Sequence, residues 1–295
     1  MIETKNGFRV IAHVVMILLA LFCLLPFVLL IASSITDESA LIRNGYSFLP
    51  AAFDFSAYRF LLMDSNSIVR AYEITVLITA IGTAANIGLT TLMAYPLSRK
   101  ELPGRNVVAF FIFFTLLFSG GLVPSYIMWT QYFHIKNTLS ALVVPGLLLN
   151  GFNVILMRTY FTTTIPSEVV EAAKIDGGSE YNILMKVVLP LSLPIMATLG
   201  VLVGLSYWND WLNGLYYVTD DRLFSIQFLL NKMLLDVQFL TSSASAGLSS
   251  DLSARLPSTA IKMAVAVLGV LPIMAIYPFF QKFFVKGVTV GAVKG

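Results

Sequence analysis

The sequence predicts an all-α, polytopic membrane protein. Three observations carry this. Hydrophobic residues fill 57% of the 295 positions, charged residues only 12%, and the charges are missing from six long stretches. A soluble domain averages roughly 45–50% apolar and about 25% charged. One soluble core cannot hide such an excess, because surface scales too steeply with chain size. An ordinary soluble enzyme, a disordered chain and a disulfide scaffold are thereby excluded. The single Cys23 cannot form an internal disulfide and matches no zinc or redox spacing. A net charge of +3 without a dense Lys/Arg run argues against nucleic acid as a partner.

A helix needs roughly 20 mostly apolar residues to cross the hydrocarbon core. Stretches without Asp, Glu, Lys or Arg cover residues 13–35, 74–95, 106–133, 137–157, 187–209 and 263–281. Lys5 and Arg9 precede the first, as in a signal peptide. That stretch is too long for a signal h-region, however, and ends in Asp37-Glu38 without a small-x-small cleavage site, so it is expected to be a retained span. The third is long enough for a tilted helix plus a short interfacial segment around Gly120-Gly121-Leu122-Val123-Pro124. Pro26, Pro145, Pro194 and Pro272 lie within spans, which membrane helices tolerate where neighbours re-satisfy the freed backbone groups. With a cytoplasmic N-terminus, inside segments hold eleven of the 19 Lys and Arg, including the tight Arg99-Lys100…Arg105 turn. Positive charge gathers on the inside, so both termini are expected in the cytoplasm. The longest connections, 36–73 and 210–262, then lie outside. The second contains a serine-rich run, 241–250, of linker-like composition. The whole chain, 1–295, reads as one transmembrane domain.

The inside connection 163–186 is the most informative stretch. Ser167 follows Pro166 and suits an N-cap; Glu168 and Glu171 fall in or near the first turn, where the helix dipole favours anions. Gly177 suits the left-handed position that ends a helix, and Ser179 caps a second start. The expected structure is helix, glycine turn, helix at the inner membrane face. Its plain reading is a surface hairpin joining two spans. The sharper reading is a docking knob: Ala172 and Ala173 let a partner groove approach closely, while Glu171 and Asp176 offer anchors.

The same residues resemble a known family. Glu171-Ala172-Ala173, three residues to Gly177, nine to Val187, and one more to Leu189-Pro190 is similar to the EAA motif of ABC importer permeases, which usually has Ile where Val187 stands. The later Leu189-Pro190-Leu191…Pro194 resembles the carbohydrate-uptake branch, which commonly has Ala where Gly178 stands. Gly178 is therefore expected to loosen the turn. Trp208-Asn209-Asp210-Trp211 and the tail 281–295 resemble the same branch, and the likeness runs from the first span to the tail. It is closest to the maltose-type second permease subunit, particularly of polysaccharide and complex-glycan importers.

The resemblance implies a type I ABC importer permease fold of six transmembrane helices with a cytoplasmic coupling helix, in a bacterial or archaeal cell membrane. It implies half of a translocation pore for oligo- or polysaccharides. The partners would be a second homologous permease, a cytoplasmic ATPase dimer and an extracellular solute-binding protein. Glu171, Ala172, Ala173, Asp176 and Gly177 would meet the ATPase, which would hold ATP and Mg; this chain would need no cofactor of its own. The 210–262 connection would reach the binding protein.

Sugars stack on aromatic rings and pair their hydroxyls with planar polar groups. Tyr207, Trp208, Asn209, Asp210 and Trp211 supply both, although an interfacial aromatic belt has the same composition. Asn150 and Asn153 either line the pore or bridge helices. His13 and His134 fall on opposite sides of the membrane and no plausible base lies near Ser119 or Ser206, so a hydrolase is not expected. There is no G-x-x-x-x-G-K-[ST] and no His/Asp/Glu cluster at metal-ligand spacing. An ion-coupled secondary carrier for a small polar solute is the alternative. Such carriers usually bury ionisable residues along the ion path, and the six spans contain none of the acidic ones.

Overall fold

The computed structural model describes residues 6–62, 65–245 and 259–275. In chain order the helices are α1 (Asn6–Ser34), α2 (Glu38–Asn44), α3 (Ser56–Leu61), α4 (Ser65–Ser98), α5 (Arg105–Leu117), α6 (Leu122–Ile127), α7 (Leu139–Val143), α8 (Gly151–Thr164), α9 (Ser167–Ile175), α10 (Glu180–Ile183), α11 (Leu189–Leu191), α12 (Leu193–Trp208), α13 (Leu212–Tyr217), α14 (Ile226–Ser245) and α15 (Thr259–Ala275). The extended pairing seen among the described residues is a lone bridge, Thr36 with Phe53. The chain divides into two compact units, one holding the residues up to Ile68 together with Leu230–Ala275, the other Val69–Leu229.

In the first unit, α1 is apolar and exposed along its membrane-length window, as a lipid-facing helix is. The connection after it is not irregular. Asp37 caps α2 by accepting a hydrogen bond from the Ala40 amide at 3.2 Å, and the Ser34 and Tyr58 hydroxyls meet at 2.8 Å, tying the end of α1 to α3. Glu38 accepts from the amides of Thr259 (3.0 Å) and Ala260 (2.9 Å), so a carboxylate from α2 caps the start of α15.

Within the 210–262 connection, the run 241–250 expected to be linker-like is helical over residues 241–245. Residues 226–245 form α14, with Ile226, Leu229, Leu230 and Val237 buried along one face. Their i, i+3, i+4, i+11 spacing is a helical stripe, which the serine run at its end disguises. Residues 246–258, the end of the sixth charge-free stretch and the tail 281–295 lie outside the described residues.

By length and composition, α1 (over Val10–Ser34) and α4 (over Asn66–Ser98) can each cross a membrane, and two bent pairs raise the number to as many as four. Six is the number that the charge-free stretches give. The first bent pair is Arg105–Leu117 with Leu122–Tyr132, turning by 113°. Its break falls at the Gly120-Gly121 pair, where Gly121 takes φ +85°. The second is Glu180–Leu191 with Leu193–Trp208, bent by 80°. Pro190 has no N–H to give to the carbonyl four residues back. The ladder widens before it, so that the Leu189 amide reaches back five residues to Leu184 O in a π-helical turn.

The expected fourth span, 137–157, is not one helix. It is α7, then residues 144–150 without helix, then α8 running on to Thr164. Pro145 and Gly146 (φ +71°) cause the break, and the Asn150 side chain starts the next helix by accepting from the Phe152 amide at 2.8 Å. Three carbonyls here lose their helical partners, and three side chains from elsewhere replace them. The Tyr207 hydroxyl donates to Val143 O (2.8 Å), the Asn213 amide to Pro145 O (3.0 Å) and the Asn86 amide to Leu147 O (2.6 Å). Asn86, Tyr207 and Asn213 are all buried. Irregular backbone at membrane depth is tolerated where protein covers and satisfies it.

Candidate functional site

The hairpin of α9 and α10 is built from local signals. Pro166 takes the N-cap position in extended conformation, so Ser167 is the first helical residue and makes no side-chain cap bond, contrary to the expectation for it. Proline fixes its own φ and leaves the next residue free to enter the helix. Glu168 stands in the first turn and Lys174 in the last, each on the favourable side of the helix dipole.

The turn is closed by its own backbone. Gly177 N–H donates to Lys174 O and Gly178 N–H to Ala173 O, both at 3.0 Å, while Gly177 sits at φ +79°. This pair of bonds is the Schellman arrangement. Gly178 tightens the turn instead of loosening it. A Cβ there would lie 2.7 Å from Ala173 O and 3.3 Å from Ile183 Cγ1. Ser179 caps α10, its hydroxyl accepting from the Asn182 amide at 3.3 Å.

One face of the hairpin is seated. Val170, Ile183, Leu184 and Val188 belong to a buried apolar cluster with Ala94 and Leu97 of α4, Val154, Met157 and Phe161 of α8, and Ile195 and Leu199 of α12. Ala173 is partly buried and packs against that cluster. The opposite face brings together Glu168, Val169, Glu171, Ala172, Asp176 and Gly177, all exposed. Ile175 stands beside them at 86% exposure. The arrangement is an acidic knob with an apolar tip on a rigid seat.

Polar bonds join the hairpin's surroundings to α4. The Tyr95 hydroxyl donates to Glu180 Oε2 at 2.5 Å, and Lys174 Nζ lies 2.7 Å from Glu180 Oε1. These two donors, Lys174 first, hold the Glu180 carboxyl below its usual range. The Arg99 guanidinium lies 4.6 Å from the centre of the Tyr95 ring. Arg158 donates from Nε to Leu97 O at 3.1 Å, placing a cation on the last carbonyls of α4.

The aromatic-polar run 207–211 at the end of α12 does not form one surface. Tyr207 is fully buried, its hydroxyl on Val143 O and its ring against Gly82, where any Cβ would overlap it. Trp208 is 7% exposed, with its indole N–H buried and without a hydrogen-bond partner among the described residues. Asp210 accepts from the Asn213 backbone amide at 3.3 Å through Oδ1; Oδ2 is buried without a hydrogen-bond partner among the described residues, and burial raises the carboxyl above its ordinary range. Asn209 is exposed and donates to Leu205 O of its own helix, and Trp211 is exposed at 37%. Asn150 is exposed and caps α8, whereas Asn153 is buried in that helix. Sequence reasoning missed Asn86, Asn213, Tyr95 and Glu180. Asn86 carried a signal, a planar polar group in the middle of a charge-free span, but nothing local names its partner at Leu147.

Comparison with known proteins places this geometry. Residues 87–290 match the family model described as the binding-protein-dependent transport system inner membrane component. The chain is 35% identical to the polygalacturonan/rhamnogalacturonan transport system permease protein YtcP of Bacillus subtilis (strain 168), covering 98% of both chains. It is also 35% identical to the protein LplC of the same organism, covering 92% of this chain and 90% of that one. Its fold is similar to a bacterial ABC transporter involved in the import of the acidic polysaccharide alginate. The TM-score is 0.77 at 28% identity, over 96% of this chain and 100% of the other.

Proposed function

The chain belongs to the family of binding-protein-dependent transport system inner membrane components, and from that premise we propose that it conducts oligo- or polysaccharides as half of a pore worked by a separate ATPase. It is a membrane-embedded transport permease subunit of the ABC importer kind. The substrate class is supported by the relatives, whose names specify polygalacturonan and rhamnogalacturonan in one case and alginate in another.

The exposed acidic knob carries the coupling reading. Glu171, Ala172, Asp176 and Gly177 present the surface that docks into the ATPase, and Ala173 seats it on the core. That core contains residues of α4, α8 and α12, so force applied to the knob reaches three helices through packed side chains. Closure of an ATPase dimer would draw this knob and its counterpart on a second permease together, as a rigid-body switch between inward- and outward-facing pores. ATP and Mg belong to the ATPase; this chain holds no cofactor. The knob and both termini face the cytoplasm. The α13–α14 region faces outside, where an extracellular binding protein delivers the sugar. Asn209, Trp211 and Asn150, exposed on this chain, are the pathway contacts; Tyr207 and Trp208 support the wall behind them.

Co-purification from the native membrane followed by reconstitution tests this. The expected result is an assembly with a second permease and a nucleotide-binding subunit, which takes up labelled oligogalacturonide only with ATP and a binding protein. Uptake by the isolated chain, driven by an ion gradient, would overturn the reading in favour of a secondary carrier.

A further inference from the structure

We propose that Glu180 is a positioning residue that ties the α9–α10 hairpin to the end of α4, so that this span travels with the knob; the inference rests on the coupling role given above. Glu180 uses its two carboxylate oxygens on two different elements, Oε2 on Tyr95 of α4 and Oε1 on Lys174 of α9. Tyr95 is itself held in place. Its ring is buried, Arg99 lies over it, and the Ser98 hydroxyl donates to its carbonyl at 2.6 Å.

Packing does not fill the space beside this link. A cavity of about 450 Å³ opens there, walled by Leu92 and Pro96 of α4, by Leu102 and Pro103 of the following turn, and by Tyr181 and Leu184 on the hairpin side. Ala94 and Leu97 pack the end of α4 into the buried cluster shared with Ile183 and Leu184, and on the open side the directional bond of Glu180 is what fixes the spacing of α4 and α10. The link does little for stability. Both side chains of the Lys174–Glu180 pair are more than a third exposed, and exposed ion pairs contribute small amounts. Its geometry, one carboxylate joining a span and a surface helix at the edge of a cavity, is that of a tie.

The test uses the assembled transporter in membranes, carrying Leu92→Cys and Tyr181→Cys in a Cys23→Ser background. The readout is the rate at which a membrane-permeant bifunctional thiol reagent bridges the two cysteines, with and without a non-hydrolysable nucleotide. With the tie intact the rate is the same in both states, because the two positions ride on one body. In Tyr95→Phe and in Glu180→Ala, nucleotide changes the rate by about fivefold or more, and uptake per ATP falls by about the same factor, the low end of coupling between sites. Glu180→Gln still accepts from Tyr95 and keeps most of the coupling. A rate that ignores nucleotide in Tyr95→Phe and Glu180→Ala, or one that already responds in the parent, overturns the tie. If the parent assembly hydrolyses ATP without moving sugar, the transport reading fails instead, and the bridging rates still judge the tie.

Discussion

Two breaks in helical order, the glycine turn after α9 and residues 144–150, solve the same problem by opposite means. Each leaves backbone groups without helical partners. The turn is exposed and satisfies itself, with Gly177 and Gly178 donating to carbonyls of the helix just ended. The break at residues 144–150, together with the Val143 carbonyl that ends α7, recruits Asn86, Tyr207 and Asn213, which lie 61, 64 and 68 positions from the carbonyls they serve. A surface turn closed by its own backbone leaves its side chains free for a partner. A buried break closed from afar spends its polar residues on structure. The difference separates residues whose loss damages transport from residues whose loss damages the fold.

The largest expected effect follows from the exposed break. Glu171→Lys reverses the charge at one of the three acidic positions of the knob without touching a buried group. ATP-driven uptake falls by about two orders of magnitude, roughly 3 kcal/mol of coupling, while membrane insertion and melting temperature stay at parental values. Parental uptake would erase the distinction between the two breaks.

At the buried break, Asn86→Leu removes the partner of Leu147 O and orphans a covered carbonyl. Such a loss costs about 1–3 kcal/mol, read as a lower melting temperature in detergent. Tyr207→Phe keeps the ring against Gly82 and removes the bond to Val143 O, so its cost falls in the same range of about 1–3 kcal/mol. Neither change alters binding of the ATPase.

A smaller effect sharpens the comparison at the end of the break. Asn150→Ala removes the cap of α8 and destabilises by about 0.5–2 kcal/mol, whereas Asn150→Asp, which also caps, restores melting. If Asn150 also touches substrate, the aspartate restores stability without restoring sugar selectivity.

The smallest effect is a pH dependence beside the exposed turn. Glu180 titrates below the usual carboxylate range in the folded chain because Lys174 and Tyr95 hold its charged form. A lowered pKa gives stability that is present above the unfolded value and lost as pH falls through the folded one. Melting curves between about pH 5 and pH 3 therefore fall more steeply for the parent than for Glu180→Gln, modestly so because the group is exposed.

How much of this was legible in the sequence follows the same division. The Gly177 turn, the Ser179 cap and the exposed Glu171 face could be read because local spacing sets them. Ser167 was misread because proline and serine compete for one boundary, and Gly178 because its contact is with a carbonyl five residues back that spacing alone does not place. The fourth charge-free stretch looked like a helix because missing charge reports burial, not continuity. Tyr207 looked like a sugar platform for a related reason: composition places an aromatic at the interface but does not say which way it turns. Helix α14 was hidden by serines, although Ile226, Leu229, Leu230 and Val237 already drew its stripe.

The cap that Glu38 places on α15 has a consequence for biogenesis. The amides it receives lie 221 and 222 residues downstream. A ribosome must therefore pass Thr259 and Ala260 before this contact of the first unit can form, and a nascent chain halted earlier carries Glu38 without it. Among the described residues, the helix made last is the one that fixes α2, one of the first to be made.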